Sequence, residues 1–310
     1  MGLPAGRLAA LKAPVVSFGV FDGVHIGHQA VLAEVVAWAR SLGGAAVAMT
    51  FDPHPQAVLR GAPVPTIASV DRRLELLEAA GADAAIVLPF TLDLARLSPD
   101  EFLDRFLVRE LHAAGLILGF DQRFGHLAAG NFEAARSWGK RTGVEVRRGP
   151  EVVRGGVRVS SSAARMAIAG GRLDDAEAML GRPAELRGTV VRGEGRGRQL
   201  GFPTANLRLD HGLVPPRGVY AGRSVLDGRT CPAVLNIGVR PTFSGGREEV
   251  VEVHLPGWSG DLYGRTLLVH LRARLRDEGK FESVDDLKRQ IALDIEGAMA
   301  DFRKPADAGR

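Results

Sequence analysis

The sequence predicts an α/β fold with a parallel sheet, followed by a small antiparallel β-barrel that ends in a helix. Three observations support this fold class. The chain has 310 residues, which is more than one average domain, so two domains are expected. In the first half, apolar strand-like runs alternate with helical patterns, which is typical of right-handed crossovers and a parallel sheet. After Glu185, glycine and proline turns separate short β-rich runs, which favours a barrel.

Strands and helices alternate in the predicted first half. The strands cover 15–21, 45–51, 84–89, 115–119 and 144–147, and the helices cover 28–41, 70–80, 99–113 and 131–141. The third helix begins with the capping-box pattern Ser98-Pro99-Asp100-Glu101, which places proline at the first helical position. Two more helices are predicted between Val159 and Gly181.

The second half is predicted as short strands with one terminal helix. Its β-rich runs cover 186–192, 218–226, 232–237, 249–255 and 266–275. A capping-box pattern at 283–286 predicts the start of the last helix. We therefore expect the domain boundary between 185 and 186, with a first domain at 1–185 and a second domain at 186–310.

Composition restricts the class of protein. Hydrophobic residues make up 45% of the chain, yet no run of about 18 apolar residues occurs, so no membrane span is predicted. The N-terminal segment lacks an apolar core with a cleavage site and is not interpreted as a signal peptide. The single cysteine, Cys231, excludes an internal disulfide framework and a cysteine-based zinc site. Together these features predict a cytoplasmic protein.

The charge of the chain gives little support to a macromolecular partner. The net charge is +4, from 40 basic and 36 acidic residues. No polybasic tract alternates with aromatic residues, so no nucleic-acid partner is predicted. Arginines near a small anionic ligand explain the basic excess equally well. Nothing in the sequence implies an obligate protein partner.

The segment Ser17–Gln29 predicts an anion site where the first helix begins. An apolar strand meets an Asp22-Gly23 turn, and His25-Ile26-Gly27-His28 follows. Residues three apart lie near one face of a helix, so both imidazoles can point at one ligand. The free N–H groups and the positive dipole end there favour phosphate. A chance surface pair and a pair of metal ligands are the alternatives.

Three polar motifs follow predicted strands of the first half. They cover 21–28, 50–55 and 119–125. Because ligands of parallel sheets bind beyond the carboxyl ends of the strands, these motifs are expected to converge on one nucleotide site. A further motif, Ser160–Arg165, has hydroxyls at a helix start and an arginine one turn later, a pattern that can bind phosphate. An ordinary serine cap with a solvated arginine is the alternative.

The second half contains two motifs that can carry chemistry. A glycine-rich stretch at 188–198 leads to the sequence Gly201-Phe202-Pro203-Thr204-Ala205-Asn206. Glycines let backbone N–H groups approach phosphates, although such a stretch is usually a simple turn. In the run Val251–Leu255, alternation puts Glu252 and His254 on one face of a strand, where a solvated face is the alternative.

These motifs together resemble the bacterial bifunctional riboflavin kinase/FMN adenylyltransferase (FAD synthetase) family. The resemblance spans nearly the whole chain, and its motifs are FGVFDGVHIGH, TFDPHP, LGFDQRFG, SSSAAR, AEAMLGRP, PTAN and E-x-H-L. It implies a Rossmann-like nucleotidylyltransferase domain with a parallel sheet. It also implies a six-stranded antiparallel β-barrel riboflavin kinase domain with a C-terminal helix.

In the first domain, the resemblance implies that His25 and His28 are catalytic and hold the phosphates of ATP. The residues implied to bind ATP and its phosphates are Gly19, Phe21, Asp22, Gly23, His25, His28, Ser161, Ser162 and Arg165. The residues implied to line the nucleotide and flavin pocket are Thr50, Phe51, His54, Asp121 and Phe124. Gln122 departs from the family pattern F-D-F-R-F-G, and Ser162 replaces the usual threonine but keeps its hydroxyl.

In the second domain, the resemblance implies that Glu252 is the general base for the 5′-hydroxyl of riboflavin. The residues implied to bind ATP are Gly188, Val190, Gly193, Gly195, Gly197, Pro203, Thr204 and Asn206. Thr204 and Asn206 are also implied to hold Mg²⁺, which prefers hard oxygen ligands. Arg276 is implied to contact the flavin.

The resemblance therefore implies two ATP-dependent steps, with riboflavin, FMN, FAD and ATP as the small-molecule partners. Riboflavin and ATP give FMN and ADP, and FMN and ATP then give FAD and pyrophosphate. A flavin-sensing protein with inactive sites is one alternative, against which His25, His28 and Glu252 argue. An adenylyltransferase for another substrate is a second alternative, against which the PTAN and E-x-H-L motifs argue.

Overall fold

A computed structural model describes residues 11–241 and 247–304. The chain forms two compact units, Met1–Ser161 and Ser162–Arg310. The first unit contains a five-stranded sheet in which every neighbouring pair is parallel, in the order β3-β2-β1-β4-β5. Its strands are β1 (Val15–Phe18), β2 (Ala46–Asp52), β3 (Ala84–Pro89), β4 (Gly115–Leu118) and β5 (Glu145–Arg148). The five predicted strands and the parallel sheet are thus confirmed.

The helices of the first unit follow the predicted order with two differences. They are α1 (Ile26–Ser41), α2 (Pro55–Arg60), α3 (Val70–Ala79), α4 (Leu92–Arg96), α5 (Pro99–Leu103) and α6 (Phe132–Thr142). Helices α2 and α4 are not predicted, because each spans little more than one turn and shows no periodicity. The helix predicted at 99–113 is α-helical only to Leu103 and continues as a π-helix over Asp104–Glu110.

The π-helix packs against the apolar core and forms one polar contact. Phe102 and Leu103, before the change, and Phe106 and Leu107, after it, are all buried in the same apolar cluster. Asp104, at the start of the π-helix, accepts a hydrogen bond of 2.7 Å from the indole Nε1 of Trp138.

Both faces of the parallel sheet are buried. Val16 and Phe18 lie in one apolar cluster, whereas Val15 lies in another with Val35 and Trp38 of α1. Successive strand side chains point to opposite faces, so a fully apolar strand such as β1 requires cover on both sides. This arrangement leaves the ends of the strands as the place where polar side chains can collect.

The second unit contains a closed six-stranded barrel in which all pairs are antiparallel, in the order β10-β11-β12-β9-β8-β13. Its strands are β8 (Glu185–Val191), β9 (Thr204–Leu209), β10 (Gly218–Leu226), β11 (Arg229–Pro241), β12 (Arg247–His254) and β13 (Thr266–Arg276). The barrel is confirmed. Strand β9 is absent from the β-rich runs predicted by pattern, because it opens with the polar sequence Thr-Ala-Asn.

The remaining elements are a small hairpin and four helices. Strands β6 (Val153–Arg154) and β7 (Val157–Arg158) form the hairpin, and the helices are α7 (Ser161–Ala169), α8 (Leu173–Leu180), α9 (Arg196–Leu200) and α10 (Val284–Arg303). Ser283 caps α10 as predicted, since its hydroxyl accepts a 3.1 Å hydrogen bond from Asp286 N. Among the described residues, no helix is long and apolar enough to cross a membrane.

Candidate active sites

A cavity of about 800 Å³ lies in the first unit where β1, β2 and β4 end. Its lining includes eight residues implied by the family resemblance: Gly19, Phe21, His25, His28, Phe51, Asp121, Phe124 and Ser161. Its volume lies within the range of small-molecule sites. The convergence expected for motifs at the carboxyl ends of parallel strands is therefore present.

The two histidines are held together at the start of α1. His25 is the N-cap residue, and its Nδ1 accepts a 3.2 Å hydrogen bond from His28 N. The two imidazole rings are stacked, with 3.6 Å between their centroids and 16° between their planes. Because His25 Nδ1 is an acceptor, the neutral ring carries its hydrogen on Nε2, which is then a donor. The helix start thus offers a donor to an anion.

The environment of His28 keeps its imidazole neutral. Burial is the main cause that lowers the pKa of His28 well below its usual value, and the nearby charges of His25 and Arg73 lower the pKa further. Its Nδ1 is buried and has no hydrogen-bond partner among the described residues. A bound polyanion would instead favour the protonated form of His28 and so raise its pKa. The protonation state of His28 is therefore suited to change when phosphate binds.

Behind the cavity wall, a buried arginine connects two strand ends. Arg73 of α3 is 2% exposed. Its Nη1 donates to Val20 O at 2.9 Å, to Thr50 Oγ1 at 2.8 Å and to Phe51 O at 2.9 Å. Burial lowers the pKa of Arg73, while the carboxylates of Asp22 and Asp52 act against this change. The sequence analysis missed Arg73, although an arginine one turn before the buried Leu77 on an amphipathic helix is a detectable signal.

Four of the implied residues support the site from outside the cavity lining. Asp22 Oδ1 accepts hydrogen bonds from Ile67 N and Ala68 N, and Gly23 lies beside it in a buried 3-10 turn. Thr50 Oγ1 donates to Val20 O at 2.8 Å. His54 caps α2, because its Nδ1 accepts from Gln56 N at 3.1 Å. The side chains of Asp22, Thr50 and His54 thus fix the loops that carry the lining residues.

Gln122, the residue that departs from the family pattern, has a structural role here. Its Oε1 accepts a 2.9 Å hydrogen bond from Gly119 N, and its Nε2 donates to Phe18 O at 2.7 Å. The side chain therefore joins the ends of β4 and β1. The neighbouring Asp121 forms a 2.8 Å ion pair with Arg158, and both of these residues line the cavity.

Helix α7 carries the remaining implied phosphate-binding residues. Ser161 lines the cavity of the first unit, and its Oγ donates to Asp22 O at 3.1 Å. Ser162 is exposed and Arg165 is half-buried on the same helix, and both residues belong to the second unit.

A second cavity, of about 410 Å³, lies in the barrel unit. Three of the residues implied to bind ATP line it, namely Val190, Pro203 and Thr204. The lining also contains Arg198, Ala205, Val253, Leu255, Trp258, Gly260, Asp261, Leu262 and Tyr263. The sequence analysis assigned no role to Trp258.

The pairing of β9 with β12 brings the PTAN and E-x-H-L motifs together. Asn206 lies directly opposite Glu252, and Thr204 lies opposite His254. On the other side of β12, Glu252 is paired with Asn236 of β11. Directly paired residues of an antiparallel sheet have their Cβ atoms about 4.5–5.5 Å apart. A carboxylate thus lies between two amides on one face of the barrel wall.

The backbone of the glycine-rich segment passes very close to residues 202–206 of this wall. A Cβ atom on Gly193 would lie 2.2 Å from Asn206 Nδ2, and a Cβ atom on Gly197 would lie 2.4 Å from Phe202 O and 3.0 Å from Thr204 Oγ1. Only glycine permits so close an approach of the backbone. By contrast, Gly188 lies within β8 and Gly195 faces open space.

Arg276 is engaged within the protein. Its Nε and Nη2 form hydrogen bonds of 2.8–3.1 Å with the carboxylate of the buried Asp294 of α10. Its Nη1 donates to Asp277 O at 2.9 Å, and its guanidinium lies 5.6 Å from the centre of the Phe281 ring. The arginine therefore joins the end of β13 to the last helix.

The described residues contain no group of three or more His, Cys, Asp or Glu side chains that could hold a metal ion. The oxygens of Thr204 and Asn206 remain as donors on one strand. Few protein ligands and hard oxygen donors fit Mg²⁺ that is also held by phosphates, rather than a metal held by protein alone.

Comparison with known proteins finds two family models that match successive parts of the chain. The family model of FAD synthetase matches residues 8–163, and that of riboflavin kinase matches residues 180–302. The bifunctional riboflavin kinase/FMN adenylyltransferase of Pseudomonas fluorescens is 39% identical over 92% of this chain and 92% of its own length. The protein of that name from Bacillus subtilis is 34% identical, with coverage of 93% and 92%.

A solved structure supports the fold. A protein of Streptococcus pneumoniae, described as a macrolide-efflux protein, superimposes with a TM-score of 0.83 at 31% identity. The similarity covers 94% of this chain and 96% of that protein.

Proposed function

Because this chain belongs to the bifunctional riboflavin kinase/FMN adenylyltransferase family, we propose that its two cavities are the two active sites. The enzyme phosphorylates riboflavin to FMN with ATP and then adenylylates FMN to FAD with release of pyrophosphate. We assign the second reaction to the first unit and the first reaction to the barrel. We propose a domain boundary at 185/186, which lies within one residue of the start of strand β8 at Glu185.

The observation that carries the adenylyltransferase assignment is the stacked histidine pair at the start of α1, which lines the larger cavity. An oxygen of the FMN phosphate attacks the α-phosphorus of ATP, the bond to the bridging oxygen breaks, and pyrophosphate leaves. The Nε2–H of His25, His28 and the helix start stabilise negative charge on the phosphates. No covalent intermediate with a side chain is needed.

Other residues of the first cavity divide between phosphate and ring recognition. Gly19, Phe21 and Ser161 line the wall of the cavity that the histidines also line. Phe51 and Phe124 supply apolar surface for the flavin and the adenine. The ion pair between Asp121 and Arg158 holds these two polar side chains in place in the cavity lining.

In the barrel, Glu252 acts as the general base. It removes the proton of the riboflavin 5′-hydroxyl while that oxygen attacks the γ-phosphorus of ATP, and ADP leaves. Thr204 and Asn206 would hold Mg²⁺ together with the nucleotide phosphates, and the ion would supply positive charge at the transferred group. The close approach of Gly193 and Gly197 to these two residues supports a phosphate site beneath the glycine-rich segment.

The proposal also covers the cellular location and the protein partners of the enzyme. The single cysteine supports a cytoplasmic location, because secreted domains commonly depend on disulfides. Each chemical step uses residues of a single unit of this chain, so the proposal includes no obligate protein partner.

One assay tests the proposed function. The purified protein is incubated with riboflavin, ATP and Mg²⁺, and riboflavin, FMN and FAD are resolved by chromatography over time. FMN is expected first and FAD second, and neither is expected when ATP or Mg²⁺ is omitted. Bound but unchanged riboflavin would instead indicate a flavin-sensing protein.

A further inference from the structure

The lining of the barrel cavity has two chemically different parts. Arg198 and Thr204 bring a cation and a hydroxyl, which suit charged phosphates. The larger part is apolar or aromatic and consists of Val190, Val253, Leu255, Trp258, Leu262 and Tyr263. A nucleotide has the same division, because charged phosphates and a planar base lie at its two ends. The aromatic part of the cavity therefore suits the base.

Within this aromatic part, Trp258 has a polar group that the fold leaves unsatisfied. Its Nε1 is buried and has no hydrogen-bond partner among the residues that the structure describes. The indole N–H is only a donor, and the N–H of a buried tryptophan usually has an acceptor. A buried donor without a partner destabilises the state that contains it. A ligand that supplies an acceptor at this position is therefore favoured.

The loop that carries Trp258 is anchored on both sides. Trp258 N donates to Leu255 O at 3.1 Å, and Gly264 N donates to Val190 O at 2.9 Å. Between these anchors, a Cβ atom on Gly260 would lie 3.5 Å from Trp258 Nε1. The backbone of a glycine thus lies beside the N–H edge of the indole. Such a neighbour can move aside more easily than a bulky side chain.

We propose that Trp258 recognises the base of the nucleotide in the barrel cavity. Its ring stacks on the base, and its Nε1–H, which points along the plane of the ring, donates to an acceptor atom of the nucleotide outside that base. This inference rests on the proposed function, since it takes the barrel cavity as the ATP site of the kinase. Stacking tolerates any base, but the larger purine ring system covers more of the indole. The site therefore prefers ATP to a pyrimidine nucleotide such as UTP.

The test compares Trp258→Ala and Trp258→Phe with the parent in the full chain, by steady-state kinetics of FMN formation. Loss of stacking in Trp258→Ala raises the KM for ATP by about 5- to 150-fold. Trp258→Phe keeps an aromatic face and lacks the N–H, so its KM rises less, by about 3- to 10-fold. The exposed neighbour Ser259 does not line the cavity, so Ser259→Ala is the matched control and keeps the parent KM.

Two further measurements separate recognition of the base from a purely structural role. The ratio of kcat/KM for ATP to that for UTP falls in Trp258→Ala, whereas partial unfolding of the barrel would lower both values together. The KM for ATP in FAD formation from supplied FMN stays at the parent value, because that reaction uses the first unit.

Binding can also be followed directly by fluorescence. Of the three tryptophans, Trp38 and Trp138 are buried and line neither of the two cavities described above. Titration with ADP therefore changes the emission of the parent mainly through Trp258, and the change is lost in Trp258→Phe.

The outcomes distinguish this inference from the proposed function. A parent chain that forms no FMN contradicts the kinase site itself. Variants of Trp258 that form FMN with the parent KM for ATP and the parent ATP-to-UTP ratio overturn only the inference about Trp258. Equal losses for ATP and UTP, together with an unchanged fluorescence response in Trp258→Phe, also overturn it.

Discussion

At the scale of single residues, the histidine pair is the centre of the proposed adenylyltransferase site. His25 Nδ1 is used by the backbone of His28, and the two rings are stacked. One imidazole therefore fixes the position of the other. The sequence showed the pair and its spacing, whereas the stacking and the cap follow from the backbone conformation at His25.

We expect His28→Ala to abolish FAD formation and to leave FMN formation nearly intact. His28 lines the cavity of the first unit, while Thr204, Asn206 and Glu252 lie on the barrel strands. Both rates are measured on the same purified variant, with riboflavin or FMN as the substrate. Equal loss of both activities in a folded variant would contradict two independent sites.

The low pKa of His28 gives a second prediction, for stability against pH. The unfolded chain takes up a proton at His28 below about pH 6.5, whereas the folded chain does so only at lower pH. The unfolded state then binds more protons, so the free energy of unfolding falls as the pH falls. The contribution of this group is at most about 1.4 kcal/mol per pH unit.

The measurement is urea unfolding at pH 7.5 and pH 5.5, followed by the emission of the buried Trp38 and Trp138. His28→Gln is the comparison, because glutamine does not titrate. The variant should lose less stability than the parent on acidification. An equal loss in both proteins would contradict a folded-state pKa below the usual value.

Glu252 is the residue whose role the strand pattern left open between a base and a solvated side chain. Glu252→Gln keeps the size of the side chain but removes the proton acceptor. Riboflavin phosphorylation should fall by about 10²- to 10⁴-fold, while FAD synthesis from FMN stays unchanged. Steady-state kinetics decides between the roles, since a kinase kcat within a few-fold of the parent removes Glu252 from the mechanism.

At the scale of elements, the glycine-rich segment and strand β9 together form part of the proposed kinase site. Neither has a strong pattern by itself, because the segment is rich in glycine and β9 begins with small polar residues. The two approach each other so closely that a Cβ atom on Gly193 would clash with Asn206, and one on Gly197 with Phe202 O. The position of the glycine-rich segment is therefore set by the residues that it packs against.

Gly197→Ala tests this contact. The added methyl group would lie 2.4 Å from Phe202 O, so the segment must move away from Thr204. A displacement of about 1 Å can lower a rate by about 10²-fold, and we expect a loss of this order in FMN formation. Gly279→Ala is the control, because a Cβ there meets nothing within 4 Å. Kinetics in which both variants match the parent would contradict a role for the close approach.

At the scale of the whole molecule, the two proposed sites lie in two different compact units. The compact units divide at Ser161/Ser162, and the barrel strands begin at Glu185. The segment between these positions contains α7 and α8. Helix α8 contacts the barrel through Glu177, which forms a 3.2 Å ion pair with Arg272 of β13.

Two fragments test this organisation. A fragment of residues 186–310 should fold and phosphorylate riboflavin, since it contains nearly all of the barrel and the kinase motifs. A fragment of residues 162–310 should have the higher melting temperature, because it keeps α8 and the hydrogen bond from Leu271 N to Ala184 O. Circular dichroism and the kinase assay measure both properties. An unfolded shorter fragment would contradict the boundary at 185/186.

The sequence by itself determined the fold class, the family and the main catalytic motifs. Periodicity reports which residues are buried along one strand or helix, so the five parallel strands were predictable. The histidine pair and the PTAN and E-x-H-L motifs are short, so their residue types and spacing suffice to identify them.

Only the tertiary structure decided which residues lie in the cavities and which support them. Thr50 and Phe51 are neighbours in sequence, yet Phe51 lines the cavity while the Thr50 hydroxyl binds Val20 O and Arg73. Successive strand side chains point to opposite faces, and a pattern cannot say which face meets a ligand. The burial of Arg73 and the unsatisfied N–H of Trp258 depend on residues far apart in the chain, so they appear only after folding.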